Sequence, residues 1–237
     1  MNSPVALVTG ASRGIGEAVA TRLAAERFRV IVTGRDQQAA QRVVDRLPGE
    51  GHRAHELDVT SVASVQTLFS QLEPEDLDVV VNNAAAYVDW AETASDADLT
   101  SARAVMETNL FGAWQVAQAA LPLLRRSARP RLVNVASGAG AHGDPDFGLT
   151  RRHGSAASYG ISKAALLALT STLAAELADT PILVNAVCPG LTATFDGAEQ
   201  MGARPVSSGA ESVVWAALLP DDGPRGGFFR DGRAVPW

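Results

Sequence analysis

The sequence predicts a doubly wound α/β fold, a mostly parallel sheet with helices on both faces. Three observations carry this. Strand-like and helix-like segments alternate along the 237 residues. The inner strand segments are continuous apolar runs, as burial on both faces of a parallel sheet requires. A glycine-rich turn stands directly between the first strand and the first helix, at the strand end where open α/β sheets meet their ligands.

The elements follow in order. Val5–Val8 is a short apolar run and reads as a buried strand, followed by the turn and a helix over 14–27. A second strand spans 29–33 and a second helix 37–47. Residues 52–57 read as a third strand, and 62–71 are helical in period. The run 77–81 is the purest strand signal, closed by Asn82 and Asn83. A long helix is predicted over 101–126, with Pro122 placed to kink it. Arg131–Val135 is the next strand, and the Ala/Leu-rich stretch 157–177 a long helix. Strand 182–187 is broken by Pro189-Gly190. A last helix spans 208–218 and a final short strand 227–229. No Pro/Gly linker or internal repeat divides the chain, so a single domain over 1–237 that includes the substrate cleft is expected.

Composition narrows the function. Hydrophobic residues make up 46% of the chain, enough for a sizeable core without disulfides. The one cysteine, Cys188, excludes an intrachain disulfide and fits a reducing, cytoplasmic setting. Met1 to Pro4 lacks the basic region of a signal peptide, and no apolar run reaches the roughly 20 residues of a membrane helix. A net charge of -6 without a basic stripe argues against nucleic acid as a partner.

The turn after the first strand reads Thr9-Gly10-Ala-Ser12-Arg13-Gly14-Ile15-Gly16. Gly10 permits the tight turn, Gly14 lets backbone approach a diphosphate, and Gly16 allows close helix-to-strand contact. The diphosphate would meet the free N–H groups of the following helix. The second strand ends in Gly34-Arg35-Asp36. An arginine there accommodates a ribose 2′-phosphate, and Arg13 lies in the turn beside the same ribose, so the pair favours NADPH over NADH. Asp36 reads either as a ribose acceptor or as the cap of the next helix. Asp58, with Val59 beside it, reads either as an adenine contact or as a helix cap. Asn83 and Ala84 follow the fourth strand, where consecutive asparagines can tie off strand ends and support cofactor-binding backbone.

The chain has a single lysine, Lys163, four residues after Tyr159 on one predicted helix; the other 19 of its 20 basic residues are arginine. Residues four apart share a helix face. A nearby ammonium is expected to lower the phenol's pKa, which is about 10 when free. Tyr159 can then donate a proton to the alkoxide formed by hydride transfer to a ketone. Lys163 can also donate to the nicotinamide ribose. Ser137, at the end of the fifth strand, can orient a carbonyl beside Tyr159. Asn109 bears a propensity cost inside a helix and can support an ordered water next to Lys163.

On these residues the chain resembles the classical short-chain dehydrogenase/reductase family. The matching motifs are Thr9-Gly10-x-x-x-Gly14-x-Gly16, Asn82-Asn83-Ala84, Asn109, Ser137, Tyr159-x-x-x-Lys163, and Pro189-Gly190 followed by Thr194. The resemblance implies a Rossmann-type fold and a catalytic tetrad of Asn109, Ser137, Tyr159 and Lys163. It places Thr192 and Thr194 at the nicotinamide amide or diphosphate, and it makes NADPH the cofactor, as in the family's carbonyl reductases.

The chain departs from the pattern in three places. Asn-Asn-Ala-Gly reads Asn82-Asn83-Ala84-Ala85, an added methyl that crowds the site if Ala85 needs an unusual φ. Ser137 and Tyr159 stand 22 positions apart, leaving a longer loop that carries His142, Asp144, Asp146, Phe147, Arg151, Arg152 and His153. Its histidines read as loop surface, and no metal-ligand spacing is found. Residues 191–207 form a short lid, predicting an open cleft lined by Tyr87, Trp90, Phe147 and Phe195. The substrate expected is a bulky, hydrophobic ketone or aldehyde, with no anion-specific group evident. Oligomeric state is open, with a homodimer or homotetramer as candidates. The alternatives are an NAD-linked alcohol dehydrogenase working oxidatively and a non-catalytic NADPH-binding protein.

Overall fold

The structure, a computed structural model, describes residues 3–73, 76–195 and 197–237. Met1 and Asn2, on which the leader reading partly rests, and Asp196, within the lid, lie outside the described residues.

Strands β1 (Val5–Val8), β2 (Arg29–Gly34), β3 (Arg53–Glu56), β4 (Val79–Asn82), β5 (Arg131–Val135), β6 (Leu183–Val187), β7 (Phe228–Arg230) and β8 (Arg233–Ala234) form one sheet in the order β3-β2-β1-β4-β5-β6-β7-β8. All neighbours pair in parallel except β7 and β8. The helices are α1 (Gly14–Ala25), α2 (Gln37–Val44), α3 (Val62–Leu72), α4 (Leu99–Met106), α5 (Ala113–Leu124), α6 (Ala157–Glu176) and α7 (Val206–Ala217).

Successive strand residues point to opposite faces, and here both faces are covered. Val5 and Leu7 of β1 join a core with α3, α5 and α6, while Ala6 and Val8 join a second core with α1, α2 and α7. The strand order reverses between β1 and β4, which opens a crevice at their C-terminal ends.

Several boundaries differ from the sequence reading for local reasons. α1 stops short of residue 27 because Arg27 takes a left-handed φ of 66°. Asp36 caps α2, its carboxylate accepting from the Ala39 N–H at 3.0 Å. Ser61 caps α3, so Asp58 has no such role; its carboxylate accepts instead from the Thr60 backbone and hydroxyl. The long helix expected over 101–126 is interrupted at Asn109. A π-helical turn over Glu107–Gly112 separates α4 from α5, and Pro122 lies within α5. The final strand turns back on itself. Asp231 and Gly232 both take positive φ, 52° and 73°, which is the two-residue turn that matches a hairpin's twist.

Candidate active site

The predicted residues lie along the C-terminal ends of β1 to β6, with Asn109, Tyr159 and Lys163 supplied by the π turn and α6. Thr9 ties the ends of β1 and β4 together. Its hydroxyl accepts from the Asn83 and Ala84 N–H groups, each at 3.0 Å, and the Asn83 amide donates to the carbonyls of Thr9 and Gly10. Asn83 therefore fixes the glycine turn from behind. Ala85 is absent from the residues of positive φ, so its methyl carries no backbone strain.

The turn itself fits a dinucleotide. Gly14 has a φ of 61°, and a methyl there would have only Thr194 within van der Waals reach, so the backbone entering α1 faces open space. Ser12, Ile15 and Gly16 surround it, and Thr194 of the lid lies opposite. Arg13 and Arg35 are both exposed, and among the described residues neither guanidinium has a carboxylate partner. Arg35 acts on Asp58, whose carboxyl lies below its usual range chiefly through the Thr60 hydroxyl. Both guanidiniums stand just beyond the C-terminal ends of β1 and β2 and present planar forks suited to an anion.

The chemistry end is built on α6. Tyr159 and Lys163 stand one turn apart and both face inward, 6% and 2% exposed. The Lys163 ammonium donates to the Val135 carbonyl at 2.8 Å and lies 5.7 Å from the centre of the Tyr159 ring. Burial lowers its pKa to about 8. The Ser137 hydroxyl, two residues past β5, faces the Tyr159 phenol and accepts from the Ala139 N–H at 3.2 Å. The expected lowering of the phenol's pKa is reversed. Burial, reinforced by the Tyr87 phenol, pushes Tyr159 well above its ordinary value, and the Ser137 hydroxyl only partly offsets this. The phenol is thus held in its protonated, donating form.

Asn109 is also placed differently from expectation. Its amide is consumed by protein, accepting from the Ala86 N–H at 2.7 Å and donating to the Ala86 carbonyl and the Ser162 hydroxyl. The Ser162 hydroxyl in turn donates a hydrogen bond to the Tyr159 backbone carbonyl at 2.7 Å. The π turn thereby links the loop after β4 to the helix that bears Tyr159. That role for Ser162, next to Lys163, was not evident in the sequence.

Above Tyr159 lies a cleft. Tyr87 stacks on the Tyr159 ring at 5.2 Å, and Trp90 meets it edge-on at 5.6 Å. Phe147 and Phe195 complete the lining that the sequence predicts, together with Met201 of the lid. Pro189 and Gly190 form its floor. Thr192 is buried, its hydroxyl donating to the Pro189 and Gly190 carbonyls, which leaves its backbone fixed beside them. His142 and His153 are exposed, as expected.

Two features went unread in the sequence. Cys188, the residue before Pro189, lines the cleft, and its sulfur accepts from the Gly138 and Gly190 N–H groups and the Arg230 guanidinium. Its position just past a strand end was the available signal. Asp144, fully buried in the long loop, pairs with the same Arg230. Burial opposes its charge, but bonds from the Phe147 and Asp146 N–H groups and Arg230 hold its carboxyl below the usual range.

A family model described as short chain dehydrogenase matches residues 4–202. The chain belongs to the short-chain dehydrogenase family. Among curated members, it is 33% identical to the pig (Sus scrofa) carbonyl reductase (NADPH) 1, over 100% of this chain and 95% of the relative. It is 31% identical to short-chain dehydrogenase/reductase 1 of Saponaria officinalis, over 98% and 95%. Among solved structures, the NADPH-bound carbonyl reductase from chicken fatty liver superposes with a TM-score of 0.83 at 27% identity, covering 100% of both chains. The protein is therefore an oxidoreductase with the family's Rossmann-like sheet. No helix among the described residues is long and apolar enough to cross a membrane.

Proposed function

We propose that this short-chain dehydrogenase reduces a ketone or aldehyde to the alcohol with NADPH. The observation that carries the reading is the buried Tyr159 phenol beside Ser137, followed one turn later by the buried Lys163, whose ammonium is anchored on the Val135 carbonyl. The turn from Thr9 to Gly16, Asp58 and Val59, Asn83 and Ala84, and Pro189, Gly190, Thr192 and Thr194 would hold the cofactor, with Arg13 and Arg35 at its 2′-phosphate. The carbonyl reductase relatives named for NADPH support that choice. When bound, NADPH supplies the hydride.

The chain's own residues do the rest. Ser137 and Tyr159 direct two hydroxyls at the carbonyl oxygen, which polarises the carbonyl and holds it in place. As negative charge develops on that oxygen, the Tyr159 phenol gives up its proton. The Lys163 ammonium stabilises the phenolate left behind, and Asn109, through Ser162, keeps the helix in register with the loop at Ala86. The aromatic rings of the cleft give the substrate an apolar wall above Tyr159. A single buried thiol suits a reducing, cytoplasmic setting.

The test is a panel of ketones, aldehydes and quinones with NADPH and with NADH, recording rate and product chirality. NADPH oxidation coupled to alcohol formation is expected. A strong preference for NADH would overturn the cofactor assignment, and no turnover across the panel would overturn the reaction.

A further inference from the structure

The long loop between Ser137 and Tyr159 puts two arginines on the cleft wall. Arg151 and Arg152 line the same cavity as Tyr87, Trp90 and Phe147, and no carboxylate is found among its described lining residues. This contrasts with the rest of the surface, where many arginines are paired: Arg22 with Glu26, Arg46 with Glu17, Arg129 with Asp221, Arg204 with Asp231. In a chain of net charge -6, this places two guanidiniums, with no carboxylate partner among the described residues, beside an apolar cleft.

The loop also holds Arg152 in place. The Arg152 guanidinium lies 4.6 Å from the centre of the Phe147 ring and its Nε donates to the Asp146 carbonyl. Arg152, His153 and Gly154 all take positive φ, at 50°, 57° and 71°, in a left-handed turn closed by the Gly154 N–H on the Arg151 carbonyl. Two consecutive non-glycine residues in that region are strained, and such strain collects where a loop must present particular groups.

We propose that the cleft selects aromatic carbonyl compounds that carry an anionic group, with the ring among Tyr87, Trp90 and Phe147 and the anion at Arg151 and Arg152. The inference rests on the carbonyl reduction proposed above. It makes the long loop a specificity element for charge, where the sequence reading left Arg151 and Arg152 without a role. Arginine's planar fork suits carboxylate and phosphate alike.

The experiment compares aryl ketones of increasing spacer length, each as the free carboxylate and as its methyl ester. Turnover is read as kcat/KM with NADPH, and binding is measured calorimetrically in the presence of NADP. For at least one spacer, the acid should exceed its ester about tenfold in kcat/KM and in affinity, and added salt should shrink the ratio. In the Arg151→Gln/Arg152→Gln protein, with far-UV circular dichroism confirming the fold, that ratio should fall to near one. Ester turnover equal to or better than acid at every spacer would overturn the charge selection and leave carbonyl reduction standing. Absence of turnover with both would overturn the reaction, and the acid-to-ester ratio in binding would still decide the selection. An acid preference that survives the double substitution would overturn the assignment to these two arginines.

Discussion

At the residue scale, the site turns on two buried groups; burial favours the neutral form of each and so moves their pKa values in opposite directions. Tyr159 keeps its proton and Lys163 gives its own up more readily, to about pH 8. Tyr159→Phe removes only the proton donor, so turnover should fall by at least about 100-fold while NADPH quenching of protein fluorescence persists; near-full activity would refute the mechanism. Lys163 adds a linkage effect. Its folded pKa lies below the roughly 10.4 of an unfolded lysine. The unfolded chain therefore binds more protons between about pH 8 and 10, and stability contributed at this position rises with pH across that window. Urea unfolding of the native chain and of Lys163→Met should show the difference moving in favour of the native chain from pH 8 to pH 10. A flat difference would mean that Lys163 titrates like a solvated amine.

At the scale of elements, the site depends on how closely α6 approaches the end of β5. A methyl on Gly140 would stand 2.5 Å from the backbone of Lys163 and Ala164, so Gly140→Ala must push the helix away. A loss of about 1–3 kcal/mol is expected, read as a lower urea midpoint, with a drop in kcat because Tyr159 and Lys163 move together. The alternation of strands and helices, and the motif at each strand end, were legible because buried parallel strands and glycine turns leave strong local signals. What was not legible depended on partners far along the chain. Within the π turn, Ala86 and Ser162 claim the Asn109 amide, and a propensity cost alone gives no hint of that. The direction of the Tyr159 shift followed from the rings packed on it, which spacing along a helix does not report. The Asp231-Gly232 hairpin, by contrast, had a readable signal that a search for parallel strands passes over.

At the scale of the whole molecule, charge is partitioned. The chain is acidic, yet the proposed ribose end of the crevice carries Arg13 and Arg35, neither of them ion-paired among the described residues. Replacing both with alanine should remove two charge-assisted contacts, each worth about 1.5–3 kcal/mol, and lower the NADPH-to-NADH ratio of kcat/KM by about 100-fold or more; an unchanged ratio would place the 2′-phosphate elsewhere. The C-terminal hairpin is joined to the cleft as well, since Arg230 of β7 holds both Asp144 of the long loop and the Cys188 sulfur. One last consequence concerns chemical labelling. With its only lysine 2% exposed, the folded protein offers amine-reactive reagents no side chain at all. Every acylated side-chain amine in a sample then records one opening of the region around α6, so slow acylation followed by mass spectrometry becomes a clock for that opening, with a single site to count.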